Sequence, residues 1–197
     1  GKDAVLSGPA GGVVGAVEVS VRLGEKKIIG FDMGGTSTDV CHFSGKFERI
    51  FRGEIAGTRL ASPMMNIHTV AAGGGSLLTY SSGRLQVGPE SAGAKPGPAC
   101  YGKGGPLTVT DANVITGRLR PEFFPPIFGK FGNQNLDNQA SKSAIDPITK
   151  ELNRTAEALA EDWLNIATQN MVSAIKKISV QRGYNISDYC LTVFGGA

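Results

Sequence analysis

One stretch, Ile29-Gly30-Phe31-Asp32-Met33-Gly34-Gly35-Thr36-Ser37-Thr38-Asp39-Val40, constrains this chain more than any other. Residues 27–33 (KIIGFDM) form an apolar run of strand length that places Asp32 near its end. Such a run reads as a buried strand. Gly34-Gly35-Thr36 follows as a tight turn, and residues 37–43 alternate as a second strand. Ser44-Gly45-Lys46 supplies a hairpin turn, and residues 47–52 alternate as a third strand. The organising unit is therefore a meander that begins with a buried strand. Its chemistry follows from the same residues. Glycine backbone presents N–H groups to phosphate oxygens without steric obstruction. Thr36 and Thr38 add hydroxyls, and Asp32 and Asp39, seven residues apart, can hold a hydrated Mg²⁺. A plain glycine hairpin with Asp as a turn residue is the simpler reading. The full string, strand to D-x-G-G-T-x-T-D to strand, favours phosphate binding. It is not a Walker loop, because no G-K-[ST] follows, and Ser7-Gly8-Pro9-Ala10-Gly11-Gly12 lacks the Lys as well.

The clearest helical signal lies in residues 155–179. Leu159, Trp163, Ile166, Ala167, Met171, Ala174, Ile175 and Ile178 fall on one face at three- and four-residue spacing, which places Trp163 on a core-facing stripe. Gly183 follows as a terminator, and residues 188–194 (DYCLTVF) read as a strand ending at Gly195-Gly196-Ala197. Both chain ends read as cut, so the 197 residues are expected to be one domain excised from a longer protein. Near the start, Ser7 to Gly12 reads as a turn, with an amphipathic helix over 13–23. Glycine is in excess, 28 of 197, about twice the ordinary 7%. Ten of these glycines fall in residues 73–105. That stretch also carries Cys, Tyr and Val, so it reads as an ordered, ligand- or interface-facing loop and not as a linker. Residues 108–119 predict a short helix capped by Thr110 or Asp111 and stopped by Gly117. Residues 121–138 are irregular, and a helix from Ser141 is expected to be interrupted at Asp146-Pro147.

Composition excludes several functions. The net charge is only +3, from 20 basic and 17 acidic residues, with no basic run to hold nucleic acid. No apolar run approaches the roughly 18 residues of a membrane span, and Gly1-Lys2-Asp3 opens no signal pattern. Cys41, Cys100 and Cys190 are scattered and contain no CxxC pair, which points to a reducing, cytoplasmic setting. His68, just before the glycine-rich stretch, is a candidate general base or metal ligand with Asp111 or Cys100. A histidine that fixes the loop by hydrogen bonds is the reading the residues favour. His42 reads as a strand-face residue, Cys190 as core, and Cys100 as a thiol without an identifiable base. Glu90, Ser91 and Lys95 are candidate substrate or interdomain contacts.

The D-x-G-G-T-x-T-D string resembles the phosphate hairpin of the actin-like ATPase superfamily. The resemblance sharpens over SGPAGGVVGA, GFDMGGTSTDV, IHTVAAGGGS, VGPESAGAKPGPACYGKGGPLTVTDANVITGRL and the terminal FGGA, from Leu6 to Ala197. In this order they are similar to the hydantoinase A/5-oxoprolinase family, closest to its 5-oxoprolinase branch. That likeness implies an α/β fold: a ribonuclease H-like, actin-like ATPase half-domain with an irregular glycine-rich insertion over about residues 55–120. It implies an ATP- and Mg²⁺-dependent amidohydrolase that opens a small cyclic amide, 5-oxoproline giving glutamate. N-methylhydantoinase and acetone carboxylase-type subunits are the related alternatives, with a sugar or acid kinase and a non-enzymatic assembly domain further away. By the same likeness, Gly34, Gly35, Thr36 and Thr38 would contact phosphates, and Gly195 and Gly196 would begin an adenosine-contacting turn. Asp39 or Asp32 would hold the metal or orient the attacking group, with Asp39 the metal candidate, and His68 joins them as a catalytic candidate. A second, hydantoinase B-type half or subunit is implied as partner. Two departures stand out. No second D-x-G-G-T string is present, so the piece alone is expected not to turn over ATP. Asn66 also stands where the family pattern carries Asp.

Overall fold

The computed structural model describes residues 7–50, 53–55, 58–60 and 64–196. The expectations for Gly1-Lys2-Asp3, Leu6, Phe51, Arg52 and Ala197 fall outside these residues. In chain order the elements are helix α1 (Ser7–Arg22), strands β1 (Lys27–Met33), β2 (Thr38–Ser44), β3 (Arg49–Ile50), β4 (Gly53–Ile55), β5 (Thr58–Leu60), β6 (Met64–Met65), β7 (Ile67–Val70), β8 (Ser76–Ser81) and β9 (Arg84–Ser91), helices α2 (Val109–Ile115), α3 (Asn138–Leu152) and α4 (Ala156–Ile178), and strand β10 (Cys190–Phe194). They group into two compact units. The first draws on segments 1–33, 38–70 and 172–196, and the second on 34–37 and 71–171.

The first unit is built on a mixed four-stranded sheet in the order β10-β1-β2-β7. β1, β2 and β7 are antiparallel neighbours, and β10 runs parallel to β1. β1 is buried along most of its length, as an uninterrupted apolar run requires. Val13 and Val17 of α1 pack on Ile28, Cys41 and Phe43 of one sheet face. α1 begins at Ser7, so the expected turn at Ser7 to Gly12 is helix. Pro9 lies in the first turn, where no intrahelical N–H bond is lost. Of the third strand expected over 47–52, the described residues give Arg49–Ile50, paired with β6. The outer edge of β2 is taken by β7.

The second unit contains the β8–β9 hairpin, α2, α3 and α4 up to Met171. Leu78, Val109, Ile115, Ile145, Leu159 and Trp163 meet in its core. Trp163 is fully buried, and its indole N–H donates to the Thr79 carbonyl at 3.2 Å. The glycine-rich stretch holds a β-hairpin, with a register shift between Ser76 and Leu78 and with Ser82 and Gly83 at its tip in left-handed backbone. α3 runs through Pro147 without interruption. Pro147 sits on the exposed side, where solvent can take the carbonyl that its missing N–H leaves free.

Candidate functional site

The register of β1 and β2 sets Asp32 directly opposite Asp39. Asp39 is in turn opposite Thr69 on β7, and Asp32 is beside Phe194 on β10. Paired residues share a face of a sheet, so both carboxylates and Thr69 lie on the face that α1 covers. The Thr69 hydroxyl donates to Asp39 Oδ1. Burial, and then the charge of Asp39, push the Asp32 carboxyl above its ordinary value. Like charges directly opposite in a sheet destabilise it, and a cation or a proton between the two carboxyls would relieve that repulsion.

Asp32 also sits in a niche bounded by two glycines. A Cβ on Gly12 of α1 would lie 3.2 Å from Asp32 Oδ2 and 3.0 Å from the Phe194 ring. A Cβ on Gly195 would lie 2.8 Å from Asp32 Oδ1 and 2.2 Å from the Met33 carbonyl oxygen. Gly195 adopts φ +119°, which L side chains rarely enter. The carboxylate can be approached this closely only because neither neighbour has a side chain. Gly195 was expected near the site, and Gly196 follows it. Gly12 was not expected. Its only sequence signal is the glycine density of SGPAGG, which does not say which strand it will meet.

The turn itself, Gly34–Ser37, belongs to the second unit. The Gly34 N–H donates to the Ser37 carbonyl at 2.9 Å. Gly74 and Gly75 donate their amides to the carbonyls of Gly34 and Gly35, at 3.2 and 2.6 Å. Gly35 and Thr36 are exposed, whereas Thr38 is fully buried. Of the two threonines expected to meet phosphate, only Thr36 presents itself to solvent. Among the described residues no three His, Cys, Asp or Glu side chains cluster as a ready-made metal cage. Mg²⁺ needs no such cage, since one or two carboxylates with substrate phosphates and water suffice. Asp32 and Asp39 fit that requirement.

His68 stands apart from the carboxylates. It pairs with Val40, one step from the Asp39–Thr69 pair, and so faces the other side of the sheet. Burial, then the charges of Lys177 and Arg182, hold its imidazole below the ordinary value. On that side Glu48 is the hub. It accepts from His42 Nδ1 at 2.8 Å, Asn66 Nδ2 at 2.9 Å, Arg182 at 2.8 Å and the Tyr184 hydroxyl at 3.1 Å. Burial alone would raise the Glu48 carboxyl. The Asn66 amide, His42, Tyr184 and Arg182 outweigh it and bring it below the ordinary value. This accounts for Asn66, since a carboxylate there would face Glu48. His42 is stacked on Tyr184, with centroids 4.0 Å apart.

In the second unit, Asp111 is fully buried and accepts five hydrogen bonds, from the Ala99, Cys100 and Thr108 amides and the Thr108 and Ser141 hydroxyls. It ties the N-terminus of α2 to the glycine-rich stretch and to α3, in a capping box with Thr108. Cys100 is fully buried, and burial followed by the charge of Asp111 pushes its thiol far up, out of nucleophile range.

The family model described as Hydantoinase/oxoprolinase matches residues 1–197. The 5-oxoprolinase of Saccharomyces cerevisiae is 45% identical over 205 residues, covering all of this chain and 16% of that protein. The crystal structure of the ATP-dependent caprolactamase from Pseudomonas jessenii superposes with a TM-score of 0.78 at 37% identity, over 92% of this chain and 26% of that one. A nucleotide-free acetone carboxylase structure superposes at 0.80 and 28% identity, over 95% of this chain and 26% of that one. This chain thus spans about a sixth of the length of the 5-oxoprolinase it matches, from the 16% coverage.

Proposed function

The chain belongs to the hydantoinase/oxoprolinase family, and from that premise we propose that it is the nucleotide-binding part of an ATP-dependent enzyme that opens a cyclic amide, 5-oxoproline to glutamate. The observation that carries this reading is the Asp32–Asp39 pair on one sheet face, with Gly12 and Gly195 packed against Asp32. The sheet order β10-β1-β2-β7 supports a ribonuclease H-like core of the actin-like ATPase kind. The glycine-rich insertion, expected over about residues 55–120, would then fall partly in the first unit, up to residue 70, and partly in the second, from residue 71.

A lactam is a poor electrophile. Transfer of the γ-phosphoryl group to the amide oxygen makes the ring carbon electrophilic. Water then adds to that carbon, the C–N bond breaks as the ring nitrogen takes up a proton and leaves, and a second water hydrolyses the resulting acyl phosphate, releasing phosphate with the former amide oxygen. ATP becomes ADP, and the ring nitrogen ends as the amine of glutamate. Positioning and charge neutralisation dominate such a transfer. Mg²⁺, when bound, supplies that neutralisation at the phosphates. Asp39, held by Thr69, and Asp32 would carry the cation or orient the attacking water. The exposed turn at Gly34, Gly35 and Thr36 would receive phosphate, and Gly195 and Gly196 would lie toward adenosine. Thr38 would support the strand, and His68, on the far face of the sheet, would hold β7 in place without touching the reacting atoms. The partner would be a hydantoinase B-type half, fused or separate. The buried free thiols of Cys41 and Cys100 are compatible with a reducing, cytoplasmic setting.

The test uses the full-length parent protein with Mg-ATP. Phosphate release that depends on 5-oxoproline, with glutamate formed in equal amount, is the expected result. Stimulation only by hydantoins, or by a ketone with bicarbonate, moves the substrate to the N-methylhydantoinase or acetone carboxylase type. No stimulation by any of them favours the assembly-domain or the missing-partner reading.

A further inference from the structure

The run Gly73-Gly74-Gly75 lies backbone to backbone against the Gly34–Ser37 turn. A Cβ on Gly73 would sit 2.5 Å from the Gly34 carbonyl oxygen and 2.7 Å from the Gly35 carbonyl carbon. A Cβ on Gly75 would sit 2.8 Å from the Gly35 oxygen. Real Cβ contacts do not come that close to backbone, so any side chain here displaces the turn. The contact is also directional. The Gly74 and Gly75 amides engage the two turn carbonyls, while among the described residues neither Gly35 nor Thr36 donates its amide to a backbone carbonyl. The run is anchored in its turn by α2. Both the amide and the hydroxyl of Thr110 donate to the Gly74 carbonyl, at 2.8 and 2.9 Å. Asp111, next in the chain, fixes α2 through its five buried hydrogen bonds.

We infer that Thr110 and the 73–75 run are positioning residues that lock the turn carbonyls away and so leave its Gly35 and Thr36 amides aimed at phosphate. The inference rests on the proposed function for the identity of the ligand, and on the geometry alone for the locking. A peptide unit points its N–H and C=O in opposite directions, so pinning a carbonyl orients the amide of the next residue. The Gly34 carbonyl shares its peptide unit with the Gly35 amide, and the Gly35 carbonyl shares its unit with the Thr36 amide. Thr110 is named because its hydroxyl can be removed without adding bulk.

The test compares full-length wild type with Thr110→Val, Thr110→Ser and Gly75→Ala. Two quantities are read: the Kd values for Mg-ATP and for adenosine, and hydrogen exchange at the Gly74 and Gly75 amides. Thr110→Val is expected to weaken Mg-ATP about tenfold, the effect of losing one hydrogen bond of this kind, with adenosine unchanged and faster exchange at both amides. Thr110→Ser should restore both readouts, and Gly75→Ala should weaken Mg-ATP further. Equal losses for ATP and adenosine, or Thr110→Val exchanging and binding like wild type, would overturn the inference. If wild type binds no nucleotide, the functional reading fails. The locking is then judged on exchange alone, and unchanged protection in Thr110→Val and Gly75→Ala overturns it.

Discussion

At the scale of single residues, the Asp32–Asp39 pair sets stability against activity. Asp32 is held above its ordinary value, so protonation favours the folded state. Its contribution is fully present below the ordinary carboxylate value and is lost as pH rises through the elevated folded value. Asp32→Asn removes the repulsion, so hydrogen exchange across β1 and β2 should slow at pH 7 without Mg²⁺. The same variant, and Asp39→Asn, should lower substrate-dependent phosphate release by about a hundredfold or more, the scale for losing one electrostatic group at a transition state. Faster exchange in Asp32→Asn would count against a strained pair. Thr69→Val leaves Asp39 without its hydroxyl donor. It should reduce phosphate release about tenfold, with Thr69→Ser close to wild type.

At the scale of elements, the local signals were legible and the long-range ones were not. The apolar run at β1, the alternation of β2 and the three-to-four-residue repeat of α4 each declare their element. The pairing of β7 with β2 leaves no local trace, because Ile67-His68-Thr69-Val70 carries too short a pattern. Without that pairing, neither Thr69 beside Asp39 nor His68 on the opposite face could be read. The β8–β9 hairpin was hidden by glycines whose roles are backbone ones. Asp111 looked like a helix cap or a partner for His68, and its five bonds make it the knot of the second unit. Asp111→Asn keeps the size but turns an amide donor toward groups that themselves donate, so it should cost about 3 kcal/mol or more in chemical denaturation. Glu48 plays the matching part in the first unit. Its carboxyl lies below the ordinary value, so its contribution is present above that value and lost as pH falls through the depressed one. Glu48→Ala should cost about 2 kcal/mol at pH 7, and the difference from wild type should shrink in acid. A difference that stays constant with pH would show that the four donors do not hold a charge.

At the scale of the whole molecule, the sequence carries the family through its glycine-rich strings, while the relatives it matches are much longer than this chain. The chain covers 16% of the yeast 5-oxoprolinase. The 197-residue chain by itself should therefore show no 5-oxoproline-dependent phosphate release, and the full-length protein should. Activity in the short chain would mean that one hairpin suffices for the chemistry. The parallel pairing of β1 with β10 has a further consequence, for the order of assembly. Along one edge of β1, Ile28 to Asp32 pair with Cys190 to Phe194, about 160 residues later in synthesis, while β2 takes the other edge early. At roughly 5–20 residues per second a ribosome needs about ten to thirty seconds to supply them. During that interval β1 has an open edge, and Asp32 lacks both its Phe194 neighbour and the bare backbone of Gly195. The nascent carboxylate site is thus among the last features to mature, and premature termination between β2 and β10 would leave a sheet edge exposed to aggregation.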